Sequence, residues 1–296
     1  MQRLINKHQP IFEKGIGKLK GPSAKFQLKP DAKPILIKAR KVPFALRDKV
    51  NNELKRLEKD GIISPVKISD YATPIVPVIK RDGSVRICAD FKVTLNKNIE
   101  PEQYPLTCIN DIFASLAGSQ KFSKIDITSA YLSMEVDPEH RKYLTISTEL
   151  GLFEHNRLLF GVTDAPAKWQ RAVDSILEGI PFTKCILDDI LVGGTDDNDH
   201  IKNLDTVMAR LKEYGLKVNQ GKCTFMVPAV TFCGHKITAE GLQQDASKTK
   251  AEKCEGATQL SWPYKLLPPL RTEYLSDIEA TLRTHNRKKM EMVNIA

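Results

Sequence analysis

The stretch CILDDILV, residues 185–192, contains two adjacent aspartates within an otherwise apolar and β-branched sequence. Apolar, β-branched runs bounded by turn residues are typical of strands in a buried sheet. Asp188 and Asp189 would carry a large desolvation cost in such a sheet if they stayed unpaired. The stretch therefore predicts a sheet whose strands meet at an acidic hairpin.

Two interpretations of this acidic pair are open. In the first, Asp188 and Asp189 only form a hairpin turn, since Asp is a common turn residue. In the second, their carboxylates have a chemical role, and another aspartate favours it: Asp126 lies at the end of the apolar stretch FSKIDI. A carboxylate at a strand end and a pair at a hairpin tip would form one site if the strands are neighbours.

Such an acidic site suits phosphoryl transfer, which needs charge neutralisation more than covalent help from the protein. Two Mg²⁺ ions about 3.5–4 Å apart can bind the attacking 3′-oxygen and the leaving oxygen. Mg²⁺ prefers carboxylates and keeps waters or substrate phosphates in its shell. We therefore predict that Asp126, Asp188 and Asp189 are catalytic residues and metal ligands that converge on one site.

The net charge of +9 is concentrated near the N-terminus. Residues 1–50 hold 13 Lys or Arg and three acids, a net of +10, which leaves the other residues at −1. A local basic segment can supply the electrostatic attraction and counterion release of nucleic-acid binding. The alternative is an ordinary solvated basic face.

Composition indicates a globular chain, with 41% hydrophobic and 27% charged residues. No apolar run approaches the roughly 18 residues of a membrane span, and no secretory signal precedes the first elements. The expectation is an intracellular, cytoplasmic protein without a membrane partner.

The six cysteines lack zinc-ligand spacing and are expected to be buried free thiols.

Apolar residues at helical spacing predict helices over 44–60, 164–180 and 199–214. Gly61 and Gly215 follow the first and third of these and are expected at their C-terminal caps. The apolar stripe of the third helix consists of Ile201, Leu204, Met208 and Leu211.

Strands are predicted on both sides of an Asp-Gly turn signal, over 73–80 and 84–91. Within 121–157, the apolar stretches KFSKIDI, YLSMEV and KYLTIST indicate further strands, and short strands are expected over 216–237. The mixture of helices and strands predicts an α+β fold. After Lys250 the pattern decays.

Ordered motifs in this chain resemble reverse transcriptases, specifically those of gypsy-type long-terminal-repeat retrotransposons. FSKIDITSAY, LLFGVTDAPAKWQ and CILDDILV occur in the order and spacing of that family. RDGSVRICADFKVTLN is similar to the family's fingers signature, and FCGHKI is similar to its primer grip. The similarity runs from about Phe12 to Lys250.

This resemblance implies a right-hand polymerase with fingers and an antiparallel palm sheet, truncated before a full thumb. It divides the chain into a basic arm (1–43), fingers and palm (44–250), and a C-terminal tail (251–296) whose structure the sequence does not indicate. It implies an RNA-directed DNA polymerase, a nucleotidyltransferase that uses two Mg²⁺ ions, with Mn²⁺ as an alternative. Its expected partners are an RNA or DNA template with a primer and deoxynucleoside triphosphates.

The resemblance also assigns roles to residues outside the acidic site. Arg86, with Lys80 or Arg81, would bind the incoming triphosphate, although exposed basic residues on a hairpin are often only solvated. Tyr131 matches the family's sugar gate, with core packing as the alternative. The remaining matches are Phe160, Gly161 and Pro166 in the nucleotide pocket, and Cys233, Gly234 and His235 in the primer grip.

Two departures from the family pattern favour a second hypothesis. Ile186 stands where the family has Tyr before Leu-Asp-Asp, and no thumb or ribonuclease H pattern follows Lys250. The chain would then be a catalytically impaired retroelement remnant that only binds nucleic acid. The three intact aspartates favour the active polymerase instead.

Overall fold

Helices and strands alternate through this computed structural model, which describes residues 1–80, 82–105, 109–232 and 235–244. The helices of at least four residues with α geometry are α1 (Gln2–Lys7), α2 (Phe44–Lys59), α3 (Leu95–Asn98), α4 (Ile109–Ser115), α5 (Ala130–Ser133), α6 (Ala165–Leu177) and α7 (Asp197–Glu213). The strands are β1 (Ile63–Val66), β2 (Thr73–Ile79), β3 (Val85–Ala89), β4 (Lys121–Asp126), β5 (Thr145–Thr148), β6 (Gly151–His155), β7 (Thr183–Ile186), β8 (Asp189–Gly194), β9 (Thr224–Val227), β10 (Ala229–Phe232), β11 (His235–Thr238) and β12 (Gly241–Gln244).

A five-stranded sheet, in the order β1-β6-β5-β2-β3, contains the predicted β-arm. Strands β2 and β3 pair antiparallel, with Ile79 opposite Val85 next to the turn. Asp82 holds this turn by accepting hydrogen bonds from the backbone and hydroxyl of Ser84, and Gly83 has φ 76°. The hairpin predicted from the Asp-Gly signal is therefore confirmed.

A second sheet, in the antiparallel order β7-β8-β4-β9, carries the predicted acidic hairpin. Helices α6 and α7 pack against it through the buried side chains of Trp169, Val173, Leu204 and Leu211. This is the antiparallel palm sheet that the sequence predicts. A three-stranded sheet, β10-β11-β12, follows at the end of the described residues.

The stripe of α7 differs from the predicted one. Ile201 is exposed, while the neighbouring polar residues His200 and Asn203 are buried. His200 shares a hydrogen bond with the hydroxyl of Ser123 in β4, and the Asn203 amide donates to the carbonyl of Gly193. Polar side chains can occupy the core side of the helix because these hydrogen bonds offset the cost of burying them.

The stretch YLSMEV, predicted as a strand, instead begins with the short helix α5. Ser129 immediately before it has φ 50°, and the Ser133 N–H donates to the Ser129 carbonyl. This reversal directs the chain away from the sheet directly after β4. Tyr131 and Met134 are thereby buried in the core rather than along a sheet face.

The N-terminal segment lies along the molecule instead of projecting as an arm. Leu4, Ile11 and Leu19 are buried, and residues 24, 28 and 36 form bridges with three different parts of the chain. Its basic side chains remain at the surface, where several form ion pairs, for example Lys7 with Asp205. Among the described residues, no helix combines the length and apolar composition that crossing a membrane requires.

Two helices end in the same glycine-containing cap, as predicted. The Gly61 N–H donates to the Glu58 carbonyl at the end of α2, and the equivalent bond joins Gly215 to Lys212 at the end of α7. Both glycines have positive φ, 67° and 73°. They differ in surroundings: a Cβ on Gly61 would meet no atom within 4 Å, whereas one on Gly215 would overlap the Lys18 carbonyl.

Alanine substitutions at these two caps test whether the N-terminal segment packs closely against Gly215. Gly61→Ala should cost about 1–2 kcal/mol, the cost of a left-handed conformation for an L-residue. Gly215→Ala should cost roughly a further 1–3 kcal/mol because the added methyl group must displace the segment around Lys18. Chemical denaturation of both variants measures the difference, and equal losses would contradict this close approach.

Candidate active site

Strand pairing places the three predicted aspartates side by side. Asp126, the last residue of β4, is directly opposite Asp189, the first residue of β8. The next residue along, Ile127, donates its N–H to the Asp188 carbonyl at 2.8 Å. The register of one strand pair therefore brings these side chains to the same edge of the palm sheet.

The acidic pair lies at a tight turn, as the first interpretation expects, although Asp189 is already the first residue of β8. Ile186 pairs with Asp189, which leaves Leu187 and Asp188 as a two-residue loop between β7 and β8. Leu187 has φ 54°, in the left-handed region, and its side chain is 38% exposed. A bulky non-glycine residue with this backbone conformation is uncommon, and such conformations cluster at functional sites.

Burial and neighbouring negative charges disfavour the ionised forms of Asp188 and Asp126. The pKa of Asp188 is raised to about 6, first by burial and then by the charges of Asp126 and Asp189. Burial also raises the pKa of Asp126, while Lys222 opposes that shift. One carboxylate oxygen of Asp188, Oδ1, is buried without a hydrogen-bond partner. An acceptor left in this way has the chemistry of a cation ligand.

Two lysines supply part of the missing positive charge. The Lys124 ammonium lies 2.7 Å from Asp189 Oδ2, and that of Lys222 lies 3.5 Å from Asp126 Oδ2. Within the described part of the chain, no three Asp, Glu, His or Cys side chains are arranged so that they could hold a metal ion as they stand. The aspartates are neighbours, but their carboxylates are not arranged as a complete set of metal ligands.

The donor set nevertheless fits a hard divalent cation. All the available ligands are carboxylate oxygens, the type that Mg²⁺ binds, and Asp188 Oδ1 has no competing donor. Lys222 is 67% exposed, so its long side chain can move into solvent when a cation takes its place beside the largely buried Asp126. A metal ion that binds Asp126 would replace the Lys222 ammonium beside this carboxylate.

The predicted nucleotide-pocket residues lie partly together. Tyr131 is only 4% exposed and packs edge-to-face on Phe160, with ring centroids 4.5 Å apart. Burial and the charge of Asp188 raise the pKa of the Tyr131 hydroxyl. Gly161 has φ 94° beside the Ala89 carbonyl. The sugar-gate role of Tyr131 stays a prediction, because its burial equally suits core packing.

The other predicted site residues are distributed over three elements. Pro166 lies in the first turn of α6. Lys80 ends the β2 side of the fingers hairpin, where its N–H donates to the Ser84 carbonyl, and Arg86 lies on β3 opposite Val78. Arg81 lies outside the described residues.

Only one residue of the predicted primer grip can be placed. His235 begins β11, pairs with Phe232, and packs its ring against Phe113 with centroids 5.7 Å apart. Cys233 and Gly234 lie outside the described residues.

Four residues near the acidic site were not predicted from the sequence: Lys124, Trp169, Gln170 and Lys222. Lys124 precedes Asp126 by two positions in β4, so strand alternation places both on the same face and could have indicated it. Trp169 and Gln170 lie within the motif LLFGVTDAPAKWQ, but the sequence indicates no contact between them and the acidic pair. Lys222 approaches Asp126 from a loop that is distant in sequence, and no local pattern indicates that contact.

Comparison with known proteins agrees with the resemblance that the sequence motifs indicate. Residues 78–237, more than half of the chain, match the family described as reverse transcriptase (RNA-dependent DNA polymerase). An uncharacterised protein of Caenorhabditis elegans is 36% identical over 250 residues, which cover 84% of this chain and 20% of that protein. The retrovirus-related Pol polyprotein from transposon opus of Drosophila melanogaster is 35% identical, covering 74% of this chain and 22% of the polyprotein.

The fold has a counterpart among solved structures. The foamy viral protease-reverse transcriptase in complex with an RNA/DNA hybrid superimposes with a TM-score of 0.77 and 22% identity, covering 86% of this chain and 35% of that one. The chain spans only about a fifth of the two relatives named above. The predicted α+β polymerase fold and the resemblance to retrotransposon reverse transcriptases are confirmed. The chain belongs to the reverse transcriptase (RNA-dependent DNA polymerase) family.

Proposed function

We propose that this chain is the fingers and palm of a retrotransposon RNA-directed DNA polymerase. It would extend a primer 3′ end on an RNA or DNA template with deoxynucleoside triphosphates. The observation that carries the proposal is the convergence of Asp126, Asp188 and Asp189 at one sheet edge. Two further findings support it: relatives are Pol polyproteins of transposons, and the foamy viral enzyme was solved with an RNA/DNA hybrid.

Contacts of the three carboxylates suggest different roles. Asp189 already has a close partner in Lys124, whereas Asp188 Oδ1 has none and Asp126 has only the looser contact with exposed Lys222. Asp126 and Asp188 would therefore hold the metal, with Asp189 in support. When bound, two Mg²⁺ ions, or Mn²⁺ in their place, would neutralise charge on the attacking and leaving oxygens.

Further predicted residues would position the substrates. Arg86 and Lys80, with Arg81, would bind the triphosphate, since Arg and Lys both pair well with phosphate oxygens. Tyr131, Phe160, Gly161 and Pro166 would line the nucleotide pocket. Cys233, Gly234 and His235 would hold the primer backbone.

The most direct test is Asp188→Asn in a primer-extension assay on a primed RNA template. The amide keeps the size of the side chain but loses its charge, so extension should be abolished. Template-primer affinity should change by less than about threefold, because binding depends mainly on phosphate contacts with many basic residues. Asp60→Asn, which removes an exposed carboxylate paired with Arg56 at the end of α2, serves as the matched control and should retain extension.

Outcomes of that assay separate the two hypotheses from the sequence. Wild-type protein that binds the primed hybrid but never extends it, with either Mg²⁺ or Mn²⁺, would support the binding-only remnant. Extension that persists in Asp188→Asn would refute the assignment of the acidic site.

A second variant, Tyr131→Val, tests the sugar gate. If the Tyr131 ring blocks the 2′-hydroxyl, its removal should raise ribonucleotide incorporation relative to deoxynucleotide by at least about tenfold, equivalent to the loss of about 1.4 kcal/mol of discrimination. Tyr143→Val, the same change at an aromatic residue that packs on Tyr71 in the fingers, is the control. Single-nucleotide incorporation kinetics with both substrates give the ratio. Unchanged discrimination in Tyr131→Val would show that this residue only packs the core.

A further inference from the structure

The loop that presents Asp188 adopts a conformation that its own sequence does not favour. Leu187 has φ 54° although it carries a branched side chain, and only Gly, Asn and Asp visit this region routinely. Leu187 is 38% exposed, so packing of its side chain holds it only in part. Contacts to its backbone therefore add to what maintains the turn.

Helix α6 provides those contacts through two consecutive residues. The Trp169 indole N–H donates to the Leu187 carbonyl at 2.6 Å, and the Leu187 N–H donates to Gln170 Oε1 at 3.2 Å. The Gln170 amide also donates to the Cys185 carbonyl at 2.8 Å. Both backbone polar groups of Leu187 are thus bonded to α6, with the Cys185 thiol as a second, longer donor to the Leu187 carbonyl at 3.4 Å. The preceding strand is fixed to the same helix.

The indole ring has a second neighbour in the site. Trp169 is fully buried and packs edge-to-face with Tyr131, with ring centroids 6.3 Å apart. Tyr131 in turn contacts Phe160. One side chain therefore touches both the acidic turn and one aromatic residue of the predicted nucleotide pocket, Tyr131.

We propose that Trp169, assisted by Gln170, is a positioning residue that holds Leu187 in the left-handed conformation and so directs the Asp188 carboxylate into the acidic site. This role rests on the proposed polymerase function. Asp188 follows Leu187 directly, so rotation of the Leu187 backbone would move the Asp188 carboxylate away from Asp126. The indole N–H is the specific requirement, because a phenyl ring at position 169 could fill most of the same space without donating a hydrogen bond.

A double-mutant cycle between Trp169→Phe and Leu187→Gly tests this role. Glycine adopts positive φ at no steric cost, so a turn with Gly at position 187 depends less on the indole hydrogen bond. Trp169→Phe alone should raise the Mg²⁺ concentration for half-maximal single-nucleotide incorporation by roughly three- to tenfold, the effect of losing one hydrogen bond. In the Leu187→Gly background, the same change should have less than about a twofold effect. Equal effects in both backgrounds would overturn the proposal.

Direct metal binding gives a readout that does not depend on catalysis. Each folded variant is titrated with Mn²⁺ alone, and electron paramagnetic resonance measures the free ion. Trp169→Phe should weaken Mn²⁺ binding when Leu187 is present and should have less than about a twofold effect in the Leu187→Gly background. Gln170→Met should weaken Mn²⁺ binding as well, and it replaces Trp169→Phe if that variant does not fold. Phe153→Leu is the packing control, because it shortens a buried aromatic residue of β6 in the five-stranded sheet. This variant should bind Mn²⁺ like the wild type.

Failure of this proposal can be distinguished from failure of the proposed function. A wild-type chain that binds Mn²⁺ but extends no primer would refute the polymerase proposal, while the cycle measured by Mn²⁺ affinity would still decide the role of Trp169. Unchanged Mn²⁺ affinity in Trp169→Phe and Gln170→Met, or a wild type that binds no Mn²⁺, would refute the positioning role.

Discussion

The antiparallel pairing of β4 with β8 is the constraint on which the rest of this site depends. Its register sets Asp126 opposite Asp189, and the tight turn before β8 adds Asp188 to the same edge. Three half-buried carboxylates so close together are costly, since burial first and then the charges of Asp126 and Asp189 raise the pKa of Asp188. Without positive charge nearby, this arrangement would oppose folding. Lys124 and Lys222 supply that charge in the metal-free protein, and a divalent ion would supply more of it.

Surrounding elements hold this costly arrangement in place. Helix α7 supports the palm sheet through His200 and Asn203, whose hydrogen bonds reach β4 and β8. The N-terminal segment fixes the loop that follows α7, since the Val218 N–H donates to the Ile11 carbonyl, and residue 218 bridges to Ile127, directly after β4. Basic sequence near the N-terminus thus contributes to the fold as well as to surface charge.

Local patterns were sufficient for much of the fold and for the composition of the acidic site. The Asp-Gly turn, the caps at Gly61 and Gly215, and the strand ends at the aspartates each depend on a few adjacent residues. Features set by tertiary contacts could not be predicted in this way. The reversal at Ser129, which replaced a predicted strand with α5, and the approach of Lys222 to Asp126 depend on packing between segments that are distant in sequence.

The proposed role of the aspartates is to bind divalent metal for nucleotidyl transfer. It is tested most directly by anomalous diffraction from crystals of this chain with a primed RNA–DNA hybrid, a non-hydrolysable deoxynucleoside triphosphate analogue and Mn²⁺. We expect two peaks about 3.5–4 Å apart, both bonded to oxygens of Asp126 or Asp188, with Lys222 withdrawn from Asp126. Peaks elsewhere, or an ordered ternary complex in which Lys222 still contacts Asp126 and no metal lies beside Asp188, would contradict it.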